Sequence, residues 1–168
     1  MRNSLRIAAL GAALAAASFA TSASAAATAT ATATAEVLET LTLTAVSDLN
    51  FGQIAANTGG SVTVNANSTV SSTGTLISTG TRAPATFNVT GSANTSVGVT
   101  LPSAAVNLTR SGGTETMSLA AFNSNPNGAF QLSAAGTGSF SVGGTLTVAN
   151  GQVPGSYSGT FPVSVEYQ

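Results

Sequence analysis

Apolar side chains recur at every second residue in segment after segment of this chain, and this period constrains the fold more than any other feature. Alternation with a period of two places successive side chains on opposite faces of a β-strand. After residue 25, no stretch has the i, i+3, i+4 spacing of an amphipathic helix. The sequence therefore predicts an all-β chain, with strands over residues 40–46, 49–54, 61–65, 85–90, 96–101, 105–109, 115–122, 129–133, 138–149 and 156–167.

Glycine- and asparagine-rich turns separate these short runs. Gly112-Gly113 divides residues 105–122 into the two arms of a hairpin, and Asn150-Gly151 ends the long run over 138–149. Short strands at this spacing favour two packed antiparallel sheets. We expect an immunoglobulin-like two-sheet antiparallel sandwich, preceded by an extended N-terminal Ala-Thr segment.

The run over 138–149 has an unbroken register. Its large apolar side chains all occupy even positions: Phe140, Val142, Leu146 and Val148. Gly143 and Gly144 leave this register unchanged, so they indicate a close approach of two backbones or a local twist rather than a one-residue bulge in this strand.

The C-terminal run, residues 156–167, has its apolar side chains on odd positions: Tyr157, Phe161, Val163, Val165 and Tyr167. Pro162 lies on the opposite face and has no backbone N–H to donate. This run is therefore predicted at a sheet edge, or unpaired on one side near residue 162.

The first 25 residues have the pattern of an export signal. Arg2 and Arg6 precede an apolar run, and small residues end at Ala25 in an A-x-A cleavage pattern. We predict a signal peptide over 1–25, followed by an exported chain at the periplasm, the cell surface or outside a Gram-negative bacterium. The apolar run is too short to span a membrane, and the mature chain contains no predicted transmembrane segment.

The residues after the predicted cleavage site alternate alanine with threonine. The candidate strand-addition residues share odd positions: Ala27, Ala29, Ala31, Ala33, Ala35, Val37, Leu41 and Leu43. One strand of this length would be several times longer than a usual sandwich strand, so two consecutive strands are expected, separated near Glu36–Glu39. Residues 26–36 are either a low-complexity tether or a donor strand for another copy, and the domain proper is predicted over 37–168.

The composition excludes most catalytic chemistry. The chain has no His, Cys or Lys, which removes Ser-His-Asp and Cys-His sites, the usual zinc ligands and disulfides. Glu36 and Glu39 differ by an odd number, so they would lie on opposite faces of a strand, which favours a solvated edge over a glycosidase-type carboxylate pair. With Arg82 and Arg110 as its only cations after residue 25, the chain offers no basic surface for nucleic acid. We expect no enzyme activity, no cofactor and no metal site.

Three motifs resemble, in order, a family of exported bacterial proteins known as the domain of unknown function numbered 4402. They are "SDLNFGQI" at 47–54, "VGGTLTV" at 142–148 and "GSYSGTFPVSVEYQ" at 155–168, and the resemblance covers about 37–168. The first and last motifs also look like immunoglobulin-like pilin and spore-coat-U type domains of chaperone-usher systems, which polymerise by donor-strand exchange. The family brings no catalytic residues, so the motif residues are assigned a structural role: Leu49, Asn50, Phe51, Gly52, Gly143, Gly144, Tyr157, Gly159, Phe161, Val163, Val165 and Tyr167.

These observations lead to a functional hypothesis. The chain is expected to be a secreted structural subunit of a fimbria-like surface fibre or extracellular layer that assembles by β-strand addition. Its expected partners are copies of itself or related subunits, with a periplasmic chaperone as a further candidate. The alternative is a monomeric adhesion or glycan-binding module that uses loops such as residues 123–128 for recognition.

Overall fold

The computed structural model describes residues 26–55 and 58–168, and all regular structure in these ranges is β-strand. The prediction of an all-β sandwich is confirmed. The strands are β1 (Thr42–Ser47), β2 (Gln53–Ala55), β3 (Gly60–Val64), β4 (Val70–Ser72), β5 (Ile77–Thr79), β6 (Ala85–Thr90), β7 (Ser96–Thr100), β8 (Val106–Arg110), β9 (Thr116–Asn125), β10 (Ala129–Gln131), β11 (Thr137–Val148), β12 (Tyr157–Ser158) and β13 (Ser164–Tyr167).

The largest sheet is organised around β11. Its main path runs β1-β6-β11-β9-β8-β12, and β3 also pairs with β11 and carries β4. The first half of β11 pairs with β6 and its second half with β3, while β9 pairs along the other edge. A three-stranded sheet, β10-β7-β13, and a two-stranded sheet, β2-β5, complete the described sheets, and all described pairings are antiparallel.

The core has two apolar clusters. One contains Val62, Leu119 and Leu146, and the other contains Val89, Val97 and Phe140. Leu49, Phe122 and Phe161 pack against both clusters and join them. The even-position register predicted for β11 is confirmed, because Phe140, Val142, Leu146 and Val148 are all buried.

Gly143 lies where two backbones approach each other closely, as predicted. A Cβ at this position would overlap the Val64 carbonyl oxygen and the Ala66 backbone nitrogen. The register irregularity at this point belongs to the neighbouring strand, because β9 contains an extra residue opposite Gly144. Ala121 of β9 accordingly has a positive φ of 50°.

The C-terminal run differs from the single strand that was predicted. Tyr157–Ser158 pairs with β8 in the large sheet, whereas Ser164–Tyr167 pairs with β7 in the three-stranded sheet. Residues 159–163, including Pro162, cross between the sheets without forming a strand. The predicted odd-position face is confirmed, since Tyr157, Phe161, Val163, Val165 and Tyr167 are each partly buried.

The hairpin predicted over 105–122 is also confirmed, because β8 and β9 pair across the turn at Gly112. Two short strands were not predicted. β4 and β5 have three residues each and are rich in Ser and Thr, so they lack enough alternating apolar residues to be recognised.

The N-terminal segment begins without regular structure. Residues 26–41 contain no strand, and residues 26–40 are exposed. Glu36–Gln168 form one compact unit, to which residues 26–35 do not belong. The predicted signal peptide, residues 1–25, lies outside the described residues. Over 26–55 and 58–168, no helix is long and apolar enough to cross a membrane.

Candidate functional site

Two edge strands border an opening on one side of the sandwich. β1 pairs only with β6, and β13 pairs only with β7, so each has one edge without a neighbouring strand in the described chain. Leu43 of β1 and Val165 of β13 pack against the same core cluster, although the two strands belong to different sheets. We call the opening between β1 with residues 48–49 and the C-terminal residues 157–167 the seam.

One end of the seam is closed by the hydroxyl group of Tyr167. It donates a hydrogen bond to the Glu39 carbonyl oxygen at 2.9 Å and accepts one from the Ser92 backbone N–H at 2.7 Å. The Glu39 backbone N–H donates to Ser92 Oγ at 2.6 Å. These bonds join the start of the domain to its C-terminal strand, so the N-terminal extension leaves the domain at this end.

The other end of the seam is open. A cleft of about 500 Å³ lies there, with Ala45 and Leu49 on one side, Gly159 and Phe161 on the other, and Phe87 among the apolar residues that line it. A second cleft of about 440 Å³ adjoins it and shares the lining residues Leu49, Leu108 and Tyr157. The opening is therefore longer than a single pocket, and both apolar and polar residues line it.

The backbone along the open end is unpaired. Residues 159–163 make no backbone hydrogen bond to any other described residue. Their N–H and C=O groups and the free edge of β1 are the kind of groups that a further strand could pair with. Among the described residues, Asp48 is the only Asp, Glu or Arg that lines the larger cleft.

A family model described as "Domain of unknown function (DUF4402)" matches residues 41–167, which span the strands from β1 to β13. The chain belongs to the DUF4402 family. No curated protein and no solved structure matches it.

The motif residues of this DUF4402 domain lie around the seam and in the core beside it. Leu49 and Phe161 join the two core clusters, and Phe51 is buried. Asn50 Oδ1 accepts a hydrogen bond from the Gly52 N–H at 2.8 Å, which supports a turn where Gly52 has a φ of 73°. The Tyr157 hydroxyl donates to the Val153 carbonyl oxygen at 2.7 Å.

Two further motif glycines lie close to other segments of the same chain. A Cβ on Gly159 would lie 2.6 Å from the Asn107 carbonyl oxygen, and one on Gly144 would lie 2.9 Å from Leu119 Cδ1. Val163, Val165 and Tyr167 form the partly buried face of the seam's C-terminal side. The motifs thus encode the walls of the seam and the packing behind it.

The candidate strand-addition residues divide into two groups. Ala27, Ala29, Ala31, Ala33, Ala35 and Val37 are exposed and belong to no strand, and Val37 is 95% exposed. Leu41 and Leu43 instead pack against the core of their own domain, so they form part of the seam. The first group is therefore exposed outside the strands, and the second group packs inside its own domain.

Shifted pKa values occur away from the seam. Arg110 Nε donates to Glu115 Oε2 at 2.7 Å, and this hydrogen bond lowers the pKa of Glu115 and raises that of Arg110. The pair lies across the β8–β9 turn, where it supports the hairpin. Within 26–55 and 58–168, no group of three or more Asp, Glu, His or Cys side chains is arranged to hold a metal ion.

One polar depression was not found from the sequence. Its volume is about 490 Å³, and five asparagines contribute to its lining: Asn65, Asn67, Asn123, Asn125 and Asn127. The Ala66 N–H donates to Asn123 Oδ1 at 2.8 Å and connects the loop after β3 to the end of β9, which extends to Asn125 and so includes the first residues of the loop predicted over 123–128. Only the loop over 123–128 was singled out in advance, because each loop reads as an ordinary turn when the sequence is considered alone.

Proposed function

We propose that this domain is a structural subunit that associates with copies of itself by β-strand addition. Residues 27–35 of one copy occupy the seam of the next, which builds a fibre or layer at the bacterial surface. The observation that carries the proposal is the open end of the seam, where the unpaired residues 159–161 and the edge strand β1 line one cleft.

The donor segment is complementary to this acceptor in chemistry. Residues 27–35 contain no charged residue and no proline, so every backbone N–H can join a ladder. In an extended conformation one face carries only alanine methyl groups, which can pack on apolar lining residues such as Phe87 and Phe161, and the other carries threonine hydroxyls. Threonine also favours the β conformation.

The energetics explain why the segment needs a second molecule. Ordering a backbone residue costs about 1–2 kcal/mol, while a net hydrogen bond contributes about 0.5–1.5 kcal/mol and alanine buries little apolar area. The segment cannot form a stable strand alone. In a preformed seam, the backbone of the segment forms hydrogen bonds with strand edges that are already ordered. The affinity of one segment for one seam is expected to be modest.

The test compares the chain 26–168 with the chain 36–168 by size-exclusion chromatography and light scattering over a range of concentrations. The longer chain should form concentration-dependent oligomers, and the shorter chain should stay monomeric with an unchanged thermal unfolding midpoint. A matched control replaces 27–35 with a Gly-Ser segment of equal length, which should abolish association. Equal association of the two chains would contradict the proposal.

The asparagine-lined depression supports a second candidate function, the binding of a neutral glycan. Its lining residues carry no charge, and the side chains of Asn125 and Asn127 form no hydrogen bond within the described chain, so their amides are free to pair with sugar hydroxyls. A strictly monomeric chain that binds neutral oligosaccharides on an array would favour this function over assembly.

A further inference from the structure

The donor segment has a sequence that repeats without variation. From Ala27 to Ala35 every odd residue is alanine and every even residue is threonine. If a strand with this repeat shifts by two residues, each position that held an alanine again holds an alanine. Each position that held a threonine again holds a threonine. Its side chains therefore cannot distinguish one such register from the next.

The acceptor is shorter than the donor. Residues within 45–49 and 157–161 contribute to the lining of the cleft, which gives an opening about five residues long. Five residues of extended chain span roughly 16 Å, whereas residues 27–35 span roughly 30 Å. Residues 27–31, 29–33 or 31–35 could each fill the opening, and each window points only alanines at one face.

The walls of the cleft also lack the features that usually fix a register. A register is normally specified by a large side chain that needs its own pocket or by a charge that needs a partner. The repeat contains neither. Within residues 26–55 and 58–168, Asp48 is the only Asp, Glu or Arg that lines the larger cleft, and Glu36 lies beyond the end of all three windows.

We propose that the interface between copies has several equivalent registers. The extension of a second copy occupies the same cleft in positions two residues apart, so the spacing between neighbouring copies changes in steps of about 6.6 Å. This inference depends on the proposed assembly. It adds that the joint between subunits can lengthen or shorten while the strand stays bound, so an assembly of these subunits is extensible.

Disulfide mapping can read the register directly, because the chain has no cysteine of its own. The acceptor is the chain 26–168 carrying Ala45→Cys, on the cleft wall. It is mixed with donor chains that carry a single cysteine at Ala29→Cys, Ala31→Cys or Ala33→Cys. Thr30→Cys and Thr32→Cys are matched donors whose side chains point away from the cleft, and Ser139→Cys is a matched acceptor, exposed on β11.

Mild oxidation should link Ala45→Cys to all three alanine-position donors with yields within about twofold of one another. The threonine-position donors should give roughly fivefold less, since a disulfide requires both Cβ atoms on the same side. A single dominant alanine position would overturn the register inference and leave the proposed assembly standing. No link to Ala45→Cys, or equal links to Ser139→Cys, would overturn both.

Discussion

Gly143 shows how a single residue can be fixed by backbone contact rather than by a turn. Its φ is not in the left-handed region, so conformational freedom does not explain it. The position instead lacks space, because the backbone at Val64 and Ala66 lies where a Cβ would be. Along one edge, β11 changes its pairing partner from β6 to β3 at this residue, and the end of β3 lies close to Gly143.

We predict that Gly143→Ala destabilises the domain by about 3 kcal/mol, because backbone atoms cannot move away as a side chain can. The matched control is Gly144→Ala. Its nearest obstacle is the flexible end of Leu119, so its cost should be about 1 kcal/mol. Urea unfolding of the two variants measures the difference. Equal losses of unfolding free energy would contradict the claim that backbone contact at Gly143 excludes a side chain.

At the residue scale, the sequence predicted burial much better than polar contact. Alternation alone identified the inward side chains of β11 and of the C-terminal run. It could not predict the Tyr167 hydroxyl bonds to Glu39 and Ser92, because the residues involved are up to 128 positions apart. Such contacts depend on which strand ends lie next to each other in the fold, and a local sequence pattern does not determine this arrangement.

At the scale of elements, the alternation of the C-terminal run hid a change of sheet. A chain that crosses from one sheet of a sandwich to the other keeps its inward face directed at the core. Its parity therefore continues through residues 159–163 although the pairing stops. Pro162 was the one sequence signal for the break, and it correctly marked the unpaired place.

The β8–β9 hairpin carries a testable dependence on pH. The Arg110 hydrogen bond lowers the pKa of Glu115 in the folded state, so the pair stabilises the hairpin at pH values above the ordinary glutamate pKa. This stabilisation is lost as the pH falls through the lowered pKa. Both side chains are partly exposed, so the effect is small.

We predict that Glu115→Gln is less stable than the parent chain near pH 7 and that the difference shrinks towards about pH 3. Urea unfolding at several pH values measures it. Glu166→Gln is the control, since Glu166 is exposed and forms no ion pair among the described residues. If the loss of unfolding free energy caused by Glu115→Gln became larger at lower pH, the direction assigned to the Glu115 pKa shift would be contradicted.

At the scale of the whole molecule, the fold class and most strands follow from period and turns, but the candidate site does not. The seam is a property of topology: it exists because β1 and β13 are both edges and lie over the same core. The sequence predicted the alanine face of residues 27–35 and an edge or unpaired place near Pro162. It could not show that Leu41 and Leu43 pack against the core of their own domain.

The central claim is that backbone groups of residues 159–163 become paired when copies associate. Hydrogen–deuterium exchange of the Gly159, Thr160, Phe161 and Val163 amides tests it in the chain 26–168 and in the chain 36–168, with the buried β11 amide of Leu146 as an internal reference. We predict exchange at least about tenfold slower at residues 159–163 in the concentrated longer chain, with Leu146 unchanged. Equal rates at residues 159–163 in the two chains would contradict the account.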